Sequence, residues 1–356
     1  MSKRILVGSR KGLFVFEHDA EGWQQSGHHF AGAAVTAVLA EGPVWLVALR
    51  HGHFGPKLHR SDDAGQTWRE LGVPAFDPEE ADKPAVDTIW CLTPAGRTLW
   101  AGCLPPGLFR SDDGGESWQL NRSLWDRPER KEWFGGGADD AGIHSVVADP
   151  AVIGKLTVGV SCGGVWRSDD DGQSWRQASA GMWAAYMPPE RRHDPNIQDP
   201  HRLAVCRDAR QYWWCQHHNA IFRSDDDCQS WQELCPAAPL SHFGFAVAAH
   251  PADPQTAWFV PAQADECRIP ENGDFYVLRT EDGGASFRKL NQGLPSSPAY
   301  HLVFRHALEV GPDGQDLAMA STTGSLWVSM NGGDSWQRLS AELPPVYCLV
   351  WQQAAR

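Results

Sequence analysis

The side chains of this chain that could do chemistry are histidines, carboxylates and arginines lying outside any repeated phrase. Fifteen His in 356 residues is a high count. His51, His53, His144, His201 and His218 are the candidate metal ligands, since neutral imidazoles commonly bind zinc, copper or iron. Three of them converging from different strands could hold a divalent transition metal, the one cofactor class that the residues suggest. His217 and His218 are adjacent, so in an extended segment they point opposite ways and only one faces a shared site. No HExxH and no His/Cys pair at metal-binding spacing occurs. Imidazoles also serve as general acids and bases near neutral pH, which makes His144 and His201 candidate catalytic groups.

Carboxylates offer a second chemistry. A glycosidase needs two, separated by roughly 5 Å or 6.5–9.5 Å according to mechanism. Asp140, beside Asp139, and Glu266, between Asp265 and Glu271, are the candidates. Guanidinium groups offer a third. Arg10, Arg50, Arg268 and Arg305, with Tyr300 nearby, are candidate substrate-binding residues, because guanidinium forks match carboxylate or phosphate oxygens.

A repeated phrase says which elements must position these residues. It reads SDDAGQTW at 61–68, SDDGGESW at 111–118, SDDDGQSW at 168–175, SDDDCQSW at 224–231, TEDGGASF at 280–287 and SMNGGDSW at 329–336. Copies some 50 residues apart mean one supersecondary unit used many times. Around the third copy, 144–149, 156–161, 164–168 and 174–178 are β-rich runs separated by turn signals. Four antiparallel strands, A to D, in each repeat make a propeller blade, with the phrase in the C–D turn. Its Ser and Asp hold that turn by hydrogen bonds. Gly65, Gly115, Gly172, Gly284 and Gly333 supply a backbone angle that other residues resist, and Cys228 replaces the glycine in one copy.

A degenerate copy at 12–25 lacks an A strand, and the chain ends in PVYCLVW without B, C or D. Together they predict a seventh blade, closed by pairing the C-terminal strand with N-terminal strands beginning near Arg4–Val7. The expectation is an all-β, single-domain, seven-bladed β-propeller of four-stranded antiparallel blades over 1–356. The C–D and A–B turns then share one face. The B–C and D–A connections, which carry the chemical residues, share the other around a channel mouth. Aligning Asp149-Pro150 with His250-Pro251 sets His144, His201 and Phe245 in equivalent places, with Thr88 one blade earlier. Two long connections, 119–143 and 179–200, carry Trp125, Trp133, Trp183 and Tyr186 and read either as lids or as packing.

The phrase S-x-D-x-G-x-[ST]-W resembles the Asp-box, or BNR repeat, of sialidase-like propellers. That family includes sialidases, other glycosidases, sorting receptors and a photosystem II assembly factor. The resemblance implies an active site on the face opposite the Asp-box turns. SRKGLFVF, HGHFGPKLHRSDD and HFGFAVAAHP are similar to a bacterial group labelled sialidase-like or glycosyl hydrolase. A sialidase resembles a six-bladed ring with an arginine triad, a Tyr–Glu nucleophile pair and an Arg-Ile-Pro motif near its N-terminus. Here Arg268-Ile269-Pro270 lies deep in the chain and the five Tyr have no evident Glu partner, which argues against cleavage of sialic acid.

Composition bounds the remaining choices. A net charge of −13 argues against nucleic-acid and anionic-membrane binding. MSKRILVGSRKGLFVF has no apolar stretch of signal-peptide length. Nine scattered Cys without a CxxC pair predict reduced thiols in a cytoplasmic protein, expected to be a monomer. The expected function is binding of a small polar or saccharide substrate at the channel mouth, hydrolase-like by resemblance. The alternatives are a metal-dependent enzyme or metal-binding protein using the His cluster, and a non-catalytic scaffold for a protein partner.

Overall fold

The computed structural model describes residues 3–80, 82–237 and 240–353. Seven four-stranded antiparallel sheets form the blades of a β-propeller. Blade 1 joins β1 (Lys3–Ser9), β2 (Gly12–Asp19) and β3 (Gly22–His29) to β28 (Val346–Gln353). Blade 2 is β4 (Ala34–Glu41), β5 (Val44–His51), β6 (Gly55–Ser61) and β7 (Arg69–Leu71). Blade 3 is β8 (Thr88–Ala95), β9 (Thr98–Leu104), β10 (Leu108–Ser111) and β11 (Gln119–Leu120). Blade 4 is β12 (Gly142–Ala148), β13 (Leu156–Ser161), β14 (Gly164–Ser168) and β15 (Arg176–Gln177). Blade 5 is β16 (Pro200–Val205), β17 (Trp213–His217), β18 (Ile221–Ser224) and β19 (Gln232–Leu234). Blade 6 is β20 (Gly244–Ala249), β21 (Ala257–Pro261), β22 (Val277–Thr280) and β23 (Arg288–Leu290). Blade 7 is β24 (Leu308–Val310), β25 (Leu317–Ala320), β26 (Leu326–Ser329) and β27 (Gln337–Ser340).

By contact the chain divides into two compact units, 33–200 and 1–32 with 201–356. The first holds blades 2 to 4. Its core includes Leu46, Ile89 and Phe109, then Trp100, Ile143, Val158 and Trp166. The second holds blades 1 and 5 to 7, and Ile5, Val7, Trp258, Leu317, Trp327 and Leu349 share one core. The expected closure is present there, since β28 pairs antiparallel with β1 along Lys3–Ser9.

The Asp-box chemistry is a closed hydrogen-bond circuit. In blade 3 the buried Ser111 hydroxyl donates to Asp113 at 2.8 Å and accepts from the Gly115 N–H at 2.9 Å. Asp113 then accepts from the Ser117 N–H at 3.0 Å and the Ser117 hydroxyl at 2.5 Å. The same circuit runs from Ser61, Ser168, Ser224 and Thr280, and from Ser329 with Asn331 in the Asp place, its Nδ2 donating to the Ser335 hydroxyl at 2.9 Å. Hydrogen bonds to the ionised form hold the Asp63, Asp113 and Asp170 carboxyls down to about 2. The glycines sit at φ between +78° and +97°, and Cys228 adopts φ +60° in their place.

These turns share an end of the blade with the A–B turns, as strand alternation requires. The Ala64 N–H donates to Pro43 O at 2.8 Å in blade 2, and the Gly283 N–H to Gln255 O at 3.0 Å in blade 6. The arginine just before the box reaches the next blade's box. Arg60 Nη1 donates to Gly114 O at 3.3 Å, and Arg110 pairs with Asp171. Arg279 Nη1 donates to Gly332 O at 2.8 Å. The signal for this clasp was in the sequence, as an Arg ahead of five of the six boxes.

One inner-strand carboxylate sets a pH dependence. Glu309 of β24 lies with its Oε1 3.9 Å from Arg202 Nη2 of β16. Burial outweighs Arg202 and Arg207 and pushes its carboxyl up to about 7. The folded state therefore holds this proton more tightly than the unfolded chain does. Its contribution is full below the unfolded value near 4.5 and is lost as pH rises through about 7. Urea titrations should show Glu309→Gln flattening this part of the profile, with a relative gain of about 2–3 kcal/mol at pH 8 over pH 4.5. Parallel profiles for both proteins would show that Glu309 does not titrate in this window.

Candidate functional site

A backbone irregularity on the inner strands does most to shape the candidate site. One residue is inserted near the start of strand A in blades 1, 2, 3, 4 and 6. The extra residues are Tyr347, Thr36, Trp90, His144 and Phe245. A bulge leaves its residue out of the ladder and re-aims the side chain, and bulges recur beside active sites. The residue equivalent to His144 in blade 3 is therefore Trp90, which corrects the placement of Thr88. The count misses by two because its anchor in blade 3, Thr93-Pro94, lies inside β8, whereas Asp149-Pro150 follows the end of β12. Thr88 is buried and bonds Asp87 through its hydroxyl at 2.7 Å.

In the unit of blades 2 to 4, the bulge residues meet their neighbours. Thr36 Oγ1 donates to Ile89 O at 2.7 Å, and the Trp90 ring lies edge-on to His144 at 5.9 Å. His144 is fully buried, with Nδ1 2.9 Å from Ser145 Oγ. His51, at the end of β5, and His53, in the β5–β6 connection, are exposed, and His53 packs on the exposed Phe54. Arg50 is exposed and paired with Asp87 at 3.0 Å. Asp140 is exposed ahead of β12. The long connections pack on the blades. Trp125 and Trp133 are buried, Arg130 covers the Trp125 ring at 3.7 Å, and Tyr186 OH donates to Ile197 O at 2.6 Å.

The other unit draws more of the expected residues together. His201, at the start of β16, is buried and stacks on Phe245 with centroids 4.5 Å apart and planes 12° apart. His218, in the β17–β18 connection, meets His201 edge-on at 5.4 Å and Phe243 at 5.8 Å. Phe243 closes the group against Phe245 at 5.5 Å. Phe304 continues it to Tyr347 at 6.0 Å. His217 turns away, as its neighbour's placement requires, and packs fully buried on Phe222. The guanidinium carbons of Arg268 and Arg305 each lie 5.3 Å from the Phe245 centroid. All of these residues sit where strand A begins or strand B ends, opposite the Asp-box turns of the same blades.

His201 has one defined tautomer. Its Nδ1 lies 2.6 Å from Gly244 O, and a carbonyl only accepts, so Nδ1 carries a proton and the neutral ring has its lone pair on Nε2. Within this unit, His201 and His218 offer ligand atoms within 4.8 Å of one another. Among the described residues, His51, His53 and His144 enter no such group. Arg10 is exposed, with its main-chain N–H on Pro345 O at 2.8 Å. Glu266 and Tyr300 are exposed. Phe245 was expected level with His144 and His201, whereas Phe243, Phe304 and Tyr347 were not among the expected site residues. Phe243 and Phe245 lie in the HFGF run at 242–245, a signal readable in the sequence.

The family model described as the BNR/Asp-box repeat matches residues 109–120. Three solved structures show the likeness of fold. The GH74 xyloglucanase from Xanthomonas campestris is 19% identical with a TM-score of 0.64, over 98% of this chain and 52% of that one. The chain thus spans about half the length of that enzyme. The GH74 enzyme of Niastella koreensis is 14% identical with a TM-score of 0.54, over 97% of this chain and 65% of that one. YCF48 from Cyanidioschyzon merolae is 13% identical with a TM-score of 0.54, over 87% of each chain. No curated protein matches the chain.

Proposed function

For this β-propeller of BNR/Asp-box repeats, we propose that the strand ends of blades 5 and 6 bind a small polar ligand, a saccharide in the first instance. The observation that carries the reading is the packing of His218 on His201 and Phe243, and of those two on Phe245. Aromatic faces accept the apolar side of a sugar ring, and an imidazole of defined tautomer accepts a hydroxyl proton. Structural neighbours that act on saccharides, the xyloglucanase among them, support this choice of ligand. Hydrolysis is the finer expectation, with His201 Nε2 as the general base.

The test is calorimetric titration with an oligosaccharide panel, together with reducing-sugar release. His201→Ala and Phe245→Ala should each weaken binding at least tenfold, whereas Glu116→Ala in the blade 3 Asp-box turn should leave it unchanged. Equal binding by all three variants would place the ligand elsewhere. A metal held by His201 and His218 is the second reading. It is favoured by the Nδ1–H bond to Gly244, which directs the Nε2 lone pair as in metal-ligating histidines. Elemental analysis of protein purified without a nickel column decides it. A stoichiometric metal lost in His218→Ala supports this reading, and metal-free protein that takes up no added zinc ends it.

A further inference from the structure

Blade 7 holds a hydroxyl against an imidazole, outside the site described above. The turn 321–325 joins β25 to β26 at the end of the blade opposite its Asp-box. Neighbouring segments fix it. The Thr322 N–H donates to Leu302 O at 2.8 Å, and Gly324 O accepts from the Leu343 N–H at 3.0 Å. Gly324 adopts φ +87°, and a Cβ there would stand 1.8 Å from Leu343 O, so only glycine fits. The exposed Thr323 places its Oγ1 2.5 Å from His301 Nδ1. The fully buried Ser321 hydroxyl backs both, 2.9 Å from Thr323 Oγ1 and 3.2 Å from Nδ1. All three are satisfied when Ser321 donates to Thr323 and Thr323 donates to a lone pair on Nδ1, with the ring proton on Nε2. His301 packs edge-on against Trp327 at 4.9 Å and on Phe275 at 5.0 Å. Burial, and then the positive charge of Arg338, hold its imidazole below the ordinary histidine range, so the ring is a free base at neutral pH. Ser321, Thr322, Gly324 and Ser325 bond their N–H groups within the protein, whereas the Thr323 N–H has no partner among the described residues.

We propose that Thr323 and His301 form a nucleophile–base pair that cleaves carboxylic esters, an activity separate from ligand binding at blades 5 and 6. A bare hydroxyl is a weak nucleophile, and a base within hydrogen-bond reach activates it. Thr323 Oγ1 attacks the ester carbonyl as its proton passes to His301 Nδ1. The carbonyl oxygen takes the negative charge, and the unpaired Thr323 N–H is the donor that stabilises it. The C–O bond to the alcohol then breaks, and the leaving oxygen takes the proton from Nδ1. Water attacks the acyl-Thr323 ester, giving its proton to Nδ1, and the acid leaves as that proton returns to Thr323 Oγ1. A neutral imidazole, a hydroxyl and one N–H suit an uncharged carbonyl, which makes the substrate an ester of a carboxylic acid rather than a phosphate. The pair shares no residue with the site on blades 5 and 6, so the two stand or fall separately.

The experiment follows nitrophenol release from para-nitrophenyl acetate by the full chain. A second sample is treated with an aryl sulfonyl fluoride, which leaves a stable adduct on an activated hydroxyl. That adduct should map to Thr323 by peptide mass spectrometry. His301→Gln should slow both reactions about a hundredfold, within the range of general base catalysis. Thr323→Val should abolish the adduct, and Thr323→Ser should retain it. Thr322→Val, one residue away in the same turn, should change neither reaction. Circular dichroism checks the fold of each variant, and His301→Gln with Thr323→Ser serve if Thr323→Val does not fold. Nitrophenol release equal in the native chain and in His301→Gln overturns the pair. So does the absence of a sulfonyl adduct on Thr323.

Discussion

A chain ended after Pro345 does not reach a stable fold. The missing segment is β28, the inner strand of blade 1, and it pairs with β1 along its length. Val346, Cys348 and Leu349 are buried, and removing them uncovers Ile5, Leu6 and Val7 on the partner strand. Six apolar side chains at roughly 1.5–3 kcal/mol each give a loss on the order of 10 kcal/mol. Whole domains have about 5–15 kcal/mol of stability. The row of unpaired backbone groups left on β1 adds to the loss and invites aggregation. Circular dichroism and urea titration of the truncated chain measure the effect. A synthetic peptide of residues 344–356, added in trans, should restore the folded signal. A truncated chain with the full-length urea midpoint would mean that β28 contributes little.

Replacing Trp100 by Ala should lower stability by about 3–5 kcal/mol, the cost of emptying a large buried site. Trp100 is fully buried in β9, among Leu108, Ile143 and Leu156 of the same cluster, and Arg110 lies over its ring at 5.6 Å. The blade 4 Asp-box glycine, Gly172, closes on it, since a Cβ there would stand 2.9 Å from the ring edge. Trp118, the Trp of the blade 3 box, is only half-buried, and its Nε1 donates to Gly72 O at 3.1 Å. Trp118→Ala should cost about 1–2 kcal/mol less than Trp100→Ala. Chemical denaturation of the two variants ranks them. The reverse order would mean that the repeated Trp, rather than the strand Trp, holds the blades together.

That contrast shows how far the repeat could be read. The box Trp is conspicuous because it recurs at one place in a phrase. The tryptophans buried deepest, Trp45, Trp100, Trp166, Trp214, Trp258 and Trp327, lie on strands B and C without a shared motif. Turn chemistry is local, so the phrase identified its own hydrogen bonds and its glycine angles. Core position depends on the neighbouring blade, which the phrase does not contain.

The strands themselves were legible to within a few residues. Those expected at 156–161 and 164–168 are Leu156–Ser161 and Gly164–Ser168, and the run expected from Arg4 to Val7 is Lys3–Ser9. The division of connections between two ends of the blade was legible as well, because antiparallel strands alternate. The candidate site was legible only in part. His201, His218, Arg268 and Arg305 were named from residue type, and the fold gathers them around Phe245. Asp140, Glu266, Arg10, Arg50, His51, His53 and Tyr300 carry the same kinds of groups and lie exposed in connections or at the end of β5.

By itself the sequence determined the repeat, the blade, the blade count and the end of each blade where non-repeated residues gather. These follow from period-2 strands and turns whose hydrogen bonds close within eight residues. Only the tertiary structure decided which candidates meet. The inserted residue at Phe245 is defined by its register against β21, and Phe245 is where His201 of β16 meets Arg268 and Arg305 from separate connections. Register and convergence depend on partners some twenty to a hundred residues away. No local pattern encodes them, because the hydrogen bonds and ring contacts that decide them exist only once the blades have packed.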